Sequence, residues 1–105
     1  MRIAVPHWQG RVSPVFDVAG VLLLVNVDQG QETSRQNIVL ENDSSLTRTN
    51  YMKELDIDAI ICGAVSKPLE LALVSEGIEV IALICGEVDQ VINAFLTGQL
   101  HQKIY

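Results

Sequence analysis

Apolar residues along this chain fall into short dense runs in the first half and take helical spacing toward the end, and that switch predicts the elements. Arg2-Ile3-Ala4-Val5-Pro6 is a short run with β-branched residues, closed by a proline, and reads as a strand. His7 to Asp17 has no usable period and is punctuated by Gly10 and Pro14, so it reads as a long ordered loop. Val21–Val27 is almost continuously apolar, as in a strand covered on both faces. Asp28-Gln29-Gly30-Gln31 predicts a turn into a more polar strand, about Thr33–Leu40, which forms an antiparallel hairpin and lies at a sheet edge.

Asn42-Asp43-Ser44 offers caps for a helix reaching about Leu55, with Leu46, Met52 and Leu55 on one side. Ala59-Ile60-Ile61-Cys62-Gly63 predicts a buried strand. Ser66 caps a second helix that turns Leu69, Ala72 and Leu73 inward and stops at Gly77. Ile78–Ile84 is a further strand, closed by Cys85-Gly86. Val88, Val91, Ile92, Phe95 and Leu96 fall at i, i+3, i+4, i+7 and i+8 of a last helix, which Gly98 ends. The order is βββαβαβα. It implies a mixed α/β sheet of five strands with helices on both faces, its later strands parallel.

Composition narrows the function. With 105 residues, 49% of them apolar, the chain makes one core and one domain, residues 1–105, with no internal boundary. A net charge of −6 excludes a nucleic-acid or anionic-membrane surface, which needs clustered cations. Two cysteines are too few for a disulfide framework. The longest apolar stretch, Val18–Val25, has eight residues including Gly20, against the roughly 20 that span a bilayer. No signal peptide fits ahead of the first strand, so a cytoplasmic location is expected.

Candidate chemistry concentrates at one edge. In open α/β sheets, ligands bind beyond the carboxyl ends of the parallel strands. Three predicted strands end there, at His7, at Cys62-Gly63 and at Cys85-Gly86, and neighbouring strands lie about 4.8 Å apart. One imidazole and two thiols suit zinc, copper or a metal–sulfur cluster, and Gly63 and Gly86 leave room for close approach. The competing reading is packing: each cysteine ends an apolar strand, and free cysteine often behaves as a small hydrophobe. Arg11 and Lys67 add local positive charge, and the helix N-terminus at Ser66 favours an anion. Trp8, the only tryptophan, either covers the site or packs on the sheet, and His101 is expected in an exposed tail. Dinucleotide, P-loop and α/β-hydrolase motifs are absent, and no orienting third residue accompanies a Cys–His pair, so an enzyme is not expected.

Two blocks carry a family resemblance. Met1-Arg2-Ile3-Ala4-Val5-Pro6 followed by Gly10-Arg11-Val12-Ser13-Pro14-Val15-Phe16-Asp17-Val18-Ala19 resembles the opening of the dinitrogenase iron–molybdenum cofactor biosynthesis family, the NifX-like nitrogenase accessory proteins. Ile57-Asp58-Ala59-Ile60-Ile61-Cys62-Gly63-Ala64-Val65-Ser66, Gly77-Ile78-Glu79-Val80, Gly86-Glu87-Val88 and Ala94-Phe95-Leu96-Thr97-Gly98 are similar to its later blocks. The resemblance implies a three-layer α/β/α domain of ribonuclease H-like topology. It also implies a non-catalytic carrier of an iron–molybdenum or other molybdenum-containing cluster. Cluster-assembly or redox proteins would be its partners, and its state would be a monomer or weak homodimer. Where some relatives have a histidine before the loop phenylalanine, this chain has Val15, which shifts metal ligation toward His7. The expected site therefore has His7, Cys62 and Cys85 as metal ligands. Arg11, Ser13 and Phe16 stand in one wall, Gly63 and Gly86 in the floor, and Ser66 and Lys67 face the ligand's negative charge. A protein-interaction domain without metal is the alternative, ahead of a thiol-dependent enzyme.

Overall fold

The dense apolar runs form the centre of a mixed sheet in the computed structural model, which describes residues 1–41 and 44–100. The strands are β1 (Arg2–Trp8), β2 (Arg11–Val12), β3 (Val21–Asp28), β4 (Gln31–Val39), β5 (Ala59–Ile61) and β6 (Glu79–Ile81). The helices are α1 (Ser45–Glu54), α2 (Lys67–Ser75) and α3 (Val88–Leu96). Five strands lie in the order β4-β3-β1-β5-β6, and β2 pairs with β1 off that path. β3 runs antiparallel to β1 and β4, whereas β1, β5 and β6 are parallel. The expected mixed α/β architecture is thus present, with the expected hairpin strand at its edge.

Alternation along β1 splits the core in two, because successive strand residues face opposite sides. Ala4 joins Leu22, Leu24, Ile60 and Cys62 under Met52 of α1 and Leu69 and Leu73 of α2. Ile3 and Val5 join Leu23, Val25 and Ile61 under Val88, Val91 and Ile92 of α3. Three layers result, which is why Val21–Val27 could be apolar at almost every position. Both hairpin turns have two residues of positive φ, Gln9-Gly10 and Gln29-Gly30, the geometry that matches strand twist in a two-residue loop.

Three local expectations are corrected. The segment His7–Asp17 is not one loop: β1 continues to Trp8, the chain turns back as β2, and Phe16–Val18 makes a 3-10 turn. Leu46 is exposed instead of inward, since the buried face of α1 is Arg48, Thr49 and Met52. β6 ends at Ile81, because Leu83 has φ +63 and the Leu83 and Ile84 N–H groups donate to Gly63 and Cys62 carbonyls. Ser44 caps α1, accepting from the Thr47 N–H at 3.2 Å, whereas Asn42, Asp43 and His101 lie outside the described residues. No helix among the described residues is long and apolar enough to cross a membrane.

Candidate functional site

The carboxyl ends of β1 and β5 meet a piece of the chain's own backbone. Ser13 N–H donates to Pro6 O at 2.9 Å, Ala64 N–H to Pro14 O at 2.8 Å and Phe16 N–H to Ala64 O at 2.8 Å. Residues 13–16 therefore lie across the rim as an added extended segment, with Val15 bridged to Ala64 in parallel. Val12 N–H donates to Gly86 O and Val88 N–H to Gly10 O, each at 2.9 Å, which fastens the hairpin to the start of α3. Gly63 is needed for this crossing: a Cβ there would meet Ser13 O and Pro14 O at 2.6 Å. Its missing side chain thus accommodates backbone, where close approach of a ligand was expected. Gly86 has φ +123, which other residues rarely adopt.

The three expected metal ligands do not gather. Among the described residues, no group of three or more His, Cys, Asp or Glu side chains is placed to hold a metal ion. Cys62 is fully buried, and burial, followed by the nearby Glu70 and Asp17 charges, pushes its thiol up to about 12. A thiolate is the metal-binding form, so Cys62 is a core thiol at neutral pH. Cys85 is exposed. His7 is half-buried, with Nε2 2.7 Å from Asn37 Oδ1 on β4. Its Nδ1 is buried and without a hydrogen-bond partner. In the tautomer that lets Asn37 Oδ1 accept, Nε2 carries the proton and Nδ1 has a bare lone pair.

The helix N-terminus proposed for an anion is already occupied. Asp17 accepts from the Ser66 N–H at 2.8 Å through Oδ1 and from the Ser66 hydroxyl through Oδ2. Ser66 in turn accepts from Leu69 N–H at 3.4 Å. An internal carboxylate thus sits at the positive end of α2, where the ligand's negative charge was expected. Lys67 pairs with Glu70 at 3.3 Å. Arg11, exposed on β2, has neither an ion pair nor a side-chain hydrogen bond among the described residues.

Expected site residues border a cavity of about 410 Å³ beside Cys85 and Gly86, and one of about 260 Å³ between the end of β1 and the crossing segment. His7, Trp8, Ser13, Pro14, Val15, Val18, Ala19 and Gly20 line the smaller one. Trp8 (62% exposed) and Val18 (73%) stand at its mouth. Ser13 is only 5% exposed, and among the described residues nothing bonds its hydroxyl, which joins the unpartnered His7 Nδ1 among the polar groups of the lining residues. Phe16 lies in the core below and does not line the cavity. A roomier groove, about 520 Å³, lies between Val39 and α1 and contains none of the expected site residues.

One residue that holds this wall escaped the sequence reading. Arg48, on α1, is only 2% exposed, and its guanidinium donates to Phe16 O at 2.7 Å, Ala19 O at 3.0 Å and Glu41 O at 2.7 Å. It also lies 5.6 Å from the Phe16 ring centroid, within cation–π range. The available signal was its position four residues before Met52, on the same helix face.

Comparison with known proteins decides the family. The model of the dinitrogenase iron-molybdenum cofactor family matches residues 1–98. The chain belongs to this family. Among solved structures, PH0822 superposes with a TM-score of 0.89 at 20% identity, over 97% of this chain and 94% of that one. The apo form of the orange protein from Desulfovibrio gigas gives 0.80 at 23% identity, over 97% and 92%. At these identities the likeness establishes the shared fold. No curated protein matches the chain.

Proposed function

We propose that this family member is a non-catalytic carrier of a preassembled, anionic metal–sulfur cluster of the iron–molybdenum-cofactor type or a precursor of it. The observation that carries the reading is the cavity beside Trp8 on a chain of this family, with largely apolar walls and the buried Ser13 hydroxyl. A sulfide-surfaced cluster spreads its charge over large, polarisable atoms, which make dispersion contacts with an apolar wall. Trp8, Pro14, Val15, Val18 and Ala19 supply that contact, and the Ser13 hydroxyl donates to a sulfide. His7 is the one side chain of the expected metal set that borders this cavity, and its unpartnered Nδ1 would be the donor to a cluster metal. Cluster-assembly or redox proteins in the cytoplasm would deliver and collect the cargo.

Anaerobic incubation with iron, molybdenum or copper salts and sulfide, then desalting and metal analysis, tests this reading. A stable coloured protein with metal and sulfide in fixed ratio supports it. Val18→Asp should abolish the loading, because it places a carboxylate at the cavity mouth. Colourless, metal-free protein under all these conditions would contradict the carrier function.

A further inference from the structure

We infer that the tip of the β1–β2 hairpin is a docking face for another protein, one that presents a carboxylate beside an apolar side chain. The first observation is apolar: Trp8, Val15 and Val18 are all exposed around one cavity mouth. Exposed large apolar groups clustered in this way mark interaction surfaces, whereas single ones do not. The second is electrostatic and independent of the first. Trp8 and Arg11 are directly opposed in the antiparallel register, so their side chains leave the hairpin on the same face.

Every other described Lys and Arg side chain already has a polar partner. Arg2 bonds Asn26 and the Leu55 carbonyl; Arg35 pairs with Glu32 and Asp89; Lys53 pairs with Glu76 and Lys67 with Glu70. Arg48 is buried on backbone carbonyls. Among the described residues, Arg11 alone of the lysines and arginines makes no side-chain hydrogen bond or ion pair, and Glu87 faces it across an isolated antiparallel bridge. In a chain of charge −6, it stands beside the only tryptophan. Beyond about 8 Å the net charge is screened at physiological salt, so a docking carboxylate meets Arg11 and not the average.

Tryptophan and arginine are the residue types that most often anchor protein contacts. The tight Gln9-Gly10 turn and the backbone bonds to Gly86 and Val88 hold both in place before any contact forms. The inference stands whether or not the cavity carries a cluster. If it does, a protein seated on Trp8 and Val18 covers the cavity mouth, which is where cargo would pass.

Selection of a random peptide library on the immobilised full-length chain tests the inference. Peptides with Asp or Glu within two positions of Trp, Phe or Leu should be enriched. Their affinity, read by fluorescence polarisation, should fall about tenfold or more with Arg11→Glu. Arg11→Gln should weaken peptide binding while leaving the thermal unfolding midpoint unchanged, because the side chain is exposed and makes no bond among the described residues. A library that returns no binder, or binders without acidic enrichment, overturns the inference. So does equal affinity for the Arg11→Glu chain, or self-association that consumes the face in sedimentation runs.

Discussion

A methyl group on Gly63 would stand 2.6 Å from the carbonyl oxygen of Pro14, closer than carbon and oxygen pack. The end of β5 and the crossing segment are therefore fitted through the absence of one side chain. Gly63→Ala must push residues 13 and 14 off the rim, and overpacking of this kind costs about 1–3 kcal/mol. Urea denaturation should show a lowered midpoint, and Trp8 fluorescence should shift in the native state. Gly20→Ala is the control, since nothing lies within 4 Å of its Cβ position. It should fall between neutral and about 1 kcal/mol more stable.

Arg48→Met should destabilise the fold and loosen the cavity wall together. The substitution keeps the length of the buried stem but takes the donors from the Phe16, Ala19 and Glu41 carbonyls. Phe16 O keeps the Ala19 N–H at 3.1 Å, so two carbonyls are left without a donor; at about 1–3 kcal/mol each, a total of at least about 2 kcal/mol is expected. Denaturation gives the total, and hydrogen exchange at residues 16–20 gives its location.

The two thiols should separate cleanly in reactivity. In native protein at pH 7.5, iodoacetamide should label Cys85 and spare Cys62, and both should react in denaturant, as read by peptide mass spectrometry. Comparable native labelling of Cys62 would contradict its placement in the core. Cys62 also sets a pH dependence. Its native value is raised from 9.0 to about 12, so between those values the unfolded chain has lost a proton that the native chain keeps. Stability is then unaffected below about pH 9 and falls as pH rises from about 9 to 12. Cys62→Ala should remove that alkaline slope.

Asp17→Ala should lower stability by about 1–2 kcal/mol, because the Ser66 N–H and hydroxyl lose a charged acceptor at the start of α2. Thermal unfolding checks the magnitude. Amide exchange of Ser66 should accelerate in the variant.

Legibility from sequence followed the range of the interactions involved. The apolar runs and the i, i+3, i+4 spacing of Val88, Val91 and Ile92 depend on near neighbours, and they yielded the five main strands and three helices in order, the edge hairpin and the two-faced sheet, but not the short β2. The loop block and the Cys-Gly block together yielded the family. The site depended on contacts that periodicity does not encode. Asp17 reaches Ser66 and residues 13–16 lie over Gly63, both across about 50 positions of sequence. Cys62 and Cys85 both follow parallel strands, as the rim model required. One faces inward from the strand end and the other sits beyond a turn with Leu83 at positive φ, so strand order alone did not bring the thiols together. Arg48 was passed over because a charged residue on a core face looks like an exposed one until its carbonyl partners are known.

Trp8 provides the most direct test of the central claim, that an anionic sulfide cluster sits in the cavity it borders. It is the only tryptophan, so its fluorescence reports this site alone. Anaerobic titration with tetrathiomolybdate, corrected for ligand absorbance, should quench it saturably at one equivalent per chain, and Val18→Asp should abolish the saturable part. Quenching that stays linear, or that is identical in the wild-type and Val18→Asp chains, would contradict the claim.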